Sequence, residues 1–170
     1  MSRQGVADYV VVMRTPGDNE TPVKHTSESF PIPLWQKYAS PVWVTTESVD
    51  EEGFGICTAK EIPGDDSSGI NQGNTLNARS AREDADEKHL CALQFGVIRR
   101  CIKLWSNPGD TVWSPFMGIG SEGYVAIQEG RRFVGVELKP SYYRQAVANL
   151  RSVEPGAKGQ QTSLFAGDKW

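Results

Sequence analysis

Residues 110–137 read DTVWSPFMGIGSEGYVAIQEGRRFVGVE, and this stretch predicts a strand, a glycine turn, a helix and a second strand, in that order. Thr111–Trp113 are β-forming residues and predict a short buried strand. Gly118 and Gly120 follow it. Because glycine has no Cβ, a turn built on these two residues can bring its backbone close to a ligand.

The second half of the stretch predicts a helix over Ser121–Glu129 that ends at Gly130, and then a strand over Phe133–Val136. Glu137 stands at the carboxyl end of this strand, where open α/β sheets bind ligands and where a carboxylate can bind both hydroxyls of a ribose. It lies 19 positions after Gly118, close to the roughly twenty of nucleotide-binding units. The stretch therefore predicts a site for an adenosine-type ligand. An ordinary βαβ unit with a glycine-rich turn is the alternative.

The class of nucleotide stays open at this point. Gly118, Gly120 and Gly123 also form the G-x-G-x-x-G pattern of dinucleotide-binding proteins. A dinucleotide site needs a second mononucleotide-binding half, and only 33 residues follow Glu137. We therefore expect a mononucleotide-type ligand, and an NAD-type dinucleotide is the less favoured alternative.

Composition excludes several classes of protein. The formal net charge is −3, from 18 basic and 21 acidic residues, so the chain is not a basic nucleic-acid coat and any nucleic-acid contact must be local. Cys57, Cys91 and Cys101 are widely spaced, and His25 and His89 lie far apart. We therefore expect no metal site and reduced thiols in the cytoplasm. No apolar run approaches the length of a membrane span.

The sequence divides into four parts. In residues 1–14 the apolar run Tyr9–Met13 (YVVVM) predicts a strand of the core that is buried on both faces. Prolines, glycines and short polar residues predict an irregular segment over 15–85, and loops of this length are usually functional or mobile. Residues 86–152 form the predicted ligand-binding α/β unit, and residues 153–170 a loose tail.

Aromatic residues in the irregular segment are candidates for substrate binding. Trp35, Tyr38 and Trp43, with Lys37 beside them, could stack on the bases of a nucleic acid. The alternative is that their rings pin this segment to the body of the domain, because aromatic side chains mostly serve as buried packing area. The sequence leaves both readings open.

Two helices flank the central stretch. The first carries an apolar stripe at helical spacing, formed by Leu90, Leu93, Val97, Cys101 and Leu104. Arg99, Arg100 and Lys103 fall outside this stripe and predict a solvated outer face. The last helix is predicted to begin with Ser141 as its N-cap. Its predicted core-facing residues are Tyr143, Ala146, Val147 and Leu150.

Residues 114–150, SPFMGIGSEGYVAIQEGRRFVGVELKPSYYRQAVANL, resemble the C-terminal, cofactor-binding part of the amino-group DNA methyltransferases. More narrowly, they resemble the phage and prophage adenine-N6 or cytosine-N4 group, in which the catalytic motif precedes the cofactor motif. The resemblance implies a Rossmann-like methyltransferase fold, here partial and with a long irregular segment in the middle. This segment, residues 15–85, stands where the family's order of motifs places target recognition, so the resemblance makes it a candidate for that role. The resemblance also implies that Phe116, Gly118, Gly120 and Glu137 hold S-adenosylmethionine and that the substrate is DNA.

The resemblance to the family extends to residues before this stretch, and the chain differs from the family's motifs in two places. Many members of the family have Asp before the Pro-Phe pair, where this chain has Ser114. The family also places a His-Pro-x-Gln-Lys-Pro-like element against the cofactor, and only His89 matches it directly. The resemblance implies cofactor contacts for His89 and for its neighbour Lys88, and a local helix-terminal hydrogen bond is the alternative for His89.

The family's catalytic loop, Asp/Asn/Ser-Pro-Pro-Tyr, is absent from the sequence, so the catalytic residues are unknown. Ser40–Trp43 (SPVW) is only weakly similar to this loop, because it lacks the second proline. Three interpretations follow. The chain is a fragment of a longer enzyme, a subunit whose partner chain supplies the loop, or a non-catalytic remnant that binds cofactor or DNA. In each of them the expected location is the cytoplasm of a bacterial or phage-infected cell.

Overall fold

The computed structural model describes residues 9–43, 70–71, 73–77 and 92–154. The helices and strands of this part, in chain order, are α1 Ile32–Tyr38, α2 Phe95–Trp105, β1 Thr111–Ser114, α3 Ser121–Gln128, β2 Arg132–Gly135 and α4 Pro140–Arg151. The order strand, turn, helix, strand predicted for residues 110–137 is confirmed. No helix within these residues is long and apolar enough to cross a membrane.

Strands β1 and β2 form a parallel pair in which Thr111 faces Arg132 and Ser114 faces Gly135. Parallel neighbours need a crossover connection, and α3 supplies it. The pairing continues past the last residue of each strand: Val136 N–H donates to Ser114 O at 3.0 Å, and Met117 N–H donates to Val136 O at 2.9 Å. These bonds draw the turn after β1 towards the end of β2, which places both carboxyl ends at one edge.

Helix α3 lies at the centre of the core. Its residues Val125 and Ala126 have no exposed surface, and they cluster with Ile98 and Ile102 of α2. The partly buried apolar residues packed against this cluster are Phe95, Val112, Tyr124 and Phe133. Because Val112 and Phe133 come from the two strands, α3 is covered by α2 on one side and by the sheet on the other.

The predicted solvated face of α2 is wrong for its arginines. Arg99 is 8% exposed and Arg100 is 3% exposed. Arg99 Nε lies 2.7 Å from Glu129 Oε1, and Lys103 Nζ lies 3.3 Å from Glu129 Oε2. Glu129 is the C-cap of α3, so these two cations join the neighbouring helices. The spacing of residues along α2 could not predict the burial of these arginines, because the residues that cover or bind them belong to other elements.

Arg100 of α2 binds two aromatic residues of the N-terminal segment (residues 9–43). Its guanidinium carbon lies 5.3 Å from the ring centroids of both Tyr38 and Trp43, which is within cation–π range. The Trp43 indole N–H donates to Tyr38 O at 2.9 Å, and Tyr38 is buried against Phe30. We call Arg100, Tyr38 and Trp43 the Arg100 clamp. It holds α1, a short helix inside the region predicted to be irregular.

A second polar attachment lies at the connection between α2 and β1. The side-chain oxygen of Asn107 accepts from Lys24 N–H at 3.0 Å, and its amide nitrogen donates to Pro22 O at 3.3 Å. Asn107 N–H donates to Asp110 Oδ2 at 2.7 Å, which fixes the connection itself. The N-terminal segment is therefore attached at the end of α2 as well as on its face.

Further expectations differ from the structure, among them the burial predicted for the strand Thr111–Trp113, in which Trp113 is 62% exposed. Tyr9–Met13, predicted as a buried strand, is exposed and is not assigned to a strand, since no described residue pairs with it. Helix α4 begins at Pro140 with Lys139 as its N-cap, so Ser141 lies inside the first turn. Tyr143 was predicted to face the core and is 52% exposed. Pro140, with its fixed φ, favours the earlier start.

One face of the sheet is apolar and is not covered by any described residue. Trp113 of β1 is 62% exposed, and Val134 of β2, its partner in the register, is 52% exposed. Val136, beyond the end of β2, is also exposed. Parallel sheets are normally buried on both faces, so this surface resembles a core-facing surface without its covering layer.

The approach of α3 to the sheet depends on Gly123. A Cβ built on Gly123 would lie 2.5 Å from Phe133 Cδ1 and 2.6 Å from Leu150 Cδ2, so β2 and α4 both approach this position closely. The third glycine of the G-x-G-x-x-G pattern is used for close helix packing in nucleotide-binding units.

We expect Gly123→Ala to lower the free energy of unfolding by about 1 kcal/mol. An overpacking cost of about 2 kcal/mol, the middle of the usual range, exceeds the gain of up to about 1 kcal/mol in helix propensity. Urea denaturation measures the change. Gly73→Ala is the control: the nearest atom to its added Cβ lies at 3.4 Å, and we expect a change within about 0.5 kcal/mol. Equal stability of G123A and the wild type would contradict the tight packing.

Candidate functional site

The glycine turn between β1 and α3 has one open side and one packed side. Gly118 has φ +56° and Gly120 has φ +87°, and both values lie in the left-handed region that favours glycine. A Cβ added at Gly118 would meet no atom within 4 Å. One added at Gly120 would lie 3.3 Å from Ala146 Cβ, on α4. The space for a ligand is therefore on the Gly118 side.

Glu137 is held against this turn by two backbone donors. Its Oε2 accepts from Gly118 N–H at 2.8 Å, and its Oε1 accepts from Lys139 N–H at 2.9 Å. Among the described residues Glu137 makes no salt bridge within 4 Å. Each oxygen of a carboxylate can accept a further hydrogen bond. The group is thus fixed in place and keeps the capacity to accept two hydroxyl donors, such as those of a ribose.

The start of α3 adds an electropositive helix end to the turn. Gly120 is its N-cap, and Ser121 in the first turn is buried. The unpaired N–H groups of a helix N-terminus favour negative or polar groups of a ligand. Glu122 is the acidic residue of this first turn. Burial raises the pKa of the Glu122 carboxyl above its ordinary value, and a hydrogen bond from its own backbone N–H offsets part of the rise.

Two exposed apolar side chains stand at the same edge of the sheet. Phe116, in the connection after β1, is 86% exposed, and Leu138, directly after Glu137, is 93% exposed. An apolar, planar ligand group placed between the two connections would remove both from water. Leu138 was not predicted as a site residue, although its position next to Glu137 at a strand end was a usable signal.

The structure brings Phe116, Gly118, Gly120 and Glu137 together at the carboxyl edge of the two strands. Their role in holding a cofactor stays a prediction. Lys88 and His89 were also predicted to contact the cofactor, and they lie outside the described residues.

The three predicted substrate-binding aromatics lie elsewhere, on α1 and the residues after it. Tyr38 is 1% exposed, and Trp43 belongs with it to the Arg100 clamp, so these placements favour the alternative of a packing role. Trp35 is 44% exposed and is the one of the three whose ring is substantially open to solvent. A role in stacking on bases stays a prediction for all three.

Comparisons with known proteins agree on one family. The sequence profile of a DNA methylase family, of the N6/N4 type, matches residues 8–148. The Type II methyltransferase M.Cfr9I of Citrobacter freundii is 43% identical over 63 residues, which are 37% of this chain and 21% of the relative. DNA adenine methyltransferase YhdJ of Escherichia coli (strain K12) is 37% identical over 67 residues, which are 39% of this chain and 23% of the relative. The matched segment thus spans less than a quarter of the length of these relatives.

A solved structure bears on the fold. The chain is similar to TTHA0409 of Thermus thermophilus, a candidate DNA modification methylase, with a TM-score of 0.51 and 22% sequence identity. The likeness covers 84% of this chain and 45% of the other. The predicted partial α/β fold of the methyltransferase type is confirmed.

We expect Glu137→Gln to lower the free energy of unfolding of the ligand-free chain by about 1.5–3 kcal/mol, the range for a hydrogen bond to a charged group. The amide nitrogen of glutamine would face either Gly118 N–H or Lys139 N–H, which places donor against donor. Thermal and urea denaturation measure the change. The control is Glu154→Gln at an exposed position, for which we expect no measurable change. Identical stability of E137Q and the wild type would show that the two hydrogen bonds do not hold the turn.

We expect Glu122→Gln to gain stability relative to the wild type as the pH rises. In the unfolded chain this carboxyl ionises near pH 4.3, whereas in the folded chain its raised pKa keeps the proton bound to higher pH. At this group the folded state therefore binds more protons over this window, and the contribution of Glu122 to the free energy of unfolding falls as the pH rises through it. E122Q has no carboxyl at this position, so its free energy of unfolding does not include this decrease. Its stability relative to the wild type therefore rises between pH 4 and pH 7. Urea denaturation at pH 4, 5.5 and 7 measures the difference, with E154Q as the control. A relative stability of E122Q that does not rise over this range would contradict the burial of the carboxyl.

Proposed function

Because the chain belongs to the N6/N4 DNA methylase family, we propose that it supplies the cofactor-binding part of a DNA methyltransferase. The methyl donor in this proposal is S-adenosylmethionine, and the acceptor is the exocyclic amino group of adenine or cytosine in DNA. The observation that carries the proposal is the Glu137 carboxylate, held by two backbone N–H groups beside the open side of the glycine turn.

The residues present fit the donor in three ways. Glu137 has two acceptor positions left for the ribose hydroxyls. The open space over Gly118 allows the ligand to approach the backbone of the turn, and the start of α3 presents N–H groups towards the carboxylate end of the methionine moiety. Phe116 and Leu138 are the exposed apolar side chains available to cover the adenine ring.

The contribution of this chain to catalysis is to bind and orient the donor. The bound cofactor supplies an electrophilic methyl group on a sulfonium. The acceptor base must leave the duplex stack and present its amine to that methyl group, so most of the rate enhancement comes from proximity and orientation. A further group must accept a hydrogen bond from the amine, and the sequence contains no Asp/Asn/Ser-Pro-Pro-Tyr loop to provide it.

We therefore propose that the loop comes from another polypeptide segment, either a further part of the same protein or a partner chain. Two surfaces support this proposal. Trp113 and Val134 leave one apolar face of the sheet exposed, and the apolar run Tyr9–Met13 is exposed and unpaired within the described residues. Both are surfaces that a complementary α/β segment would bury. A non-catalytic subunit that binds cofactor or DNA is the second candidate, favoured by the missing loop.

We expect S-adenosylhomocysteine, the demethylated cofactor, to raise the melting temperature of the purified chain, and NAD to leave it unchanged. A ligand at about 100 times its Kd adds about 2.7 kcal/mol of stability. E137Q, compared with its own ligand-free melting temperature, should lose most of the shift. A shift with NAD alone would favour the dinucleotide alternative.

The same preparation tests the missing loop. With tritiated S-adenosylmethionine and DNA, we expect no methyl transfer by the chain alone. We expect transfer after addition of a polypeptide that carries the Pro-Pro-Tyr loop. Turnover by the chain alone would overturn the proposal that the loop comes from elsewhere.

A further inference from the structure

Helix α4 contacts the glycine turn through a hydrogen bond that the proposed function does not use. Asn149 Nδ2 donates to Ile119 O at 2.8 Å, across 30 positions of sequence. Ile119 lies between Gly118 and Gly120 and is 3% exposed, so its carbonyl is at the centre of the turn. The Asn149 amide is itself oriented, because Gln145 Nε2 donates to its Oδ1 at 3.0 Å.

The bond acts on the peptide group between Ile119 and Gly120. Ile119 O and Gly120 N–H belong to one trans peptide group and point in opposite directions. Rotation of this group requires a change of φ at Gly120, and glycine permits a wide range of φ values at low cost. In the structure the group is restrained at both ends: Asn149 binds the oxygen, and Gly120 N–H donates to Met117 O at 2.9 Å.

We infer that Asn149 is a positioning residue for the cofactor turn, and this inference rests on the proposed function of that turn. Asn149 acts on the ligand only through Ile119. By fixing the peptide group between Ile119 and Gly120, it fixes the direction of the first N–H groups of α3 and the shape of the turn that Glu137 faces. Pre-ordering of a binding loop increases affinity, because the loop then loses less conformational freedom on binding.

Asn149→Leu is the primary test, since leucine has a similar size and cannot donate to Ile119 O. We expect the affinity for S-adenosylhomocysteine, measured by isothermal titration calorimetry, to fall about tenfold, in line with the loss of one partly buried hydrogen bond. Asn149→Asp should lower the affinity further, because its carboxylate oxygen would face the carbonyl oxygen of Ile119. Gln145→Ala removes only the orienting bond and should cause a smaller loss.

The matched control is Ser152→Ala. Ser152 Oγ donates to Asn149 O at 2.6 Å, so this variant removes one hydrogen bond from the end of the same helix without touching the turn. We expect S152A to bind S-adenosylhomocysteine with the affinity of the wild type. Circular dichroism shows whether each variant is folded, and Q145A serves as the test if both Asn149 variants unfold.

A measurement without ligand separates this inference from the proposed function. Amide hydrogen exchange at Gly120, followed by NMR, should be faster in N149L than in the wild type and unchanged in S152A. If the wild type does not bind S-adenosylhomocysteine, the proposed function fails, and the exchange rate still tests the positioning role. If the wild type binds and N149L shows both the same affinity and the same Gly120 exchange, the inference is overturned and the proposed function stands.

Discussion

The candidate site depends on the two hydrogen bonds that the Glu137 carboxylate accepts. One comes from Gly118, in the turn after β1, and the other from Lys139, at the start of α4. Since Glu137 itself follows β2, one side chain joins three segments of the chain. The two strands have four residues each, and a two-stranded sheet of this size has little stability of its own. The shape of the turn is therefore set by the same charged group that the proposed function assigns to the ribose.

The packing around this site is asymmetric. On one side α3 fills the space between the sheet and α2, and it can approach the sheet closely because Gly123 has no side chain. On the other side Trp113 and Val134 present an apolar surface that no described residue covers. The described residues thus form an ordered candidate site at the edge of a sheet that has one uncovered apolar face. This arrangement is consistent with matches that span only part of the related methyltransferases.

The sequence allowed the βαβ unit and the placement of Gly118 and Glu137 to be predicted, because glycines, strand-forming residues and their spacing are local properties. Features decided by tertiary contacts were not predictable in this way. Arg100 is buried because aromatic rings from a distant segment cover it, and Tyr9–Met13 is exposed because no described strand pairs with it. Asn149 was missed because its partner lies 30 positions away, and a single amide on a helix carries no spacing signal.

The Arg100 clamp has a consequence for how the protein tolerates changes in length. It joins Trp43 to Arg100, which lie 57 positions apart in the sequence, so it closes the chain between two distant points. The entropy lost on closing a flexible loop grows only with the logarithm of its length, and doubling the length costs about 0.6 kcal/mol. The clamp itself therefore constrains the number of residues between its members only weakly. The turn around Gly118 is constrained strictly, because a change in its length would break its hydrogen bond to Glu137.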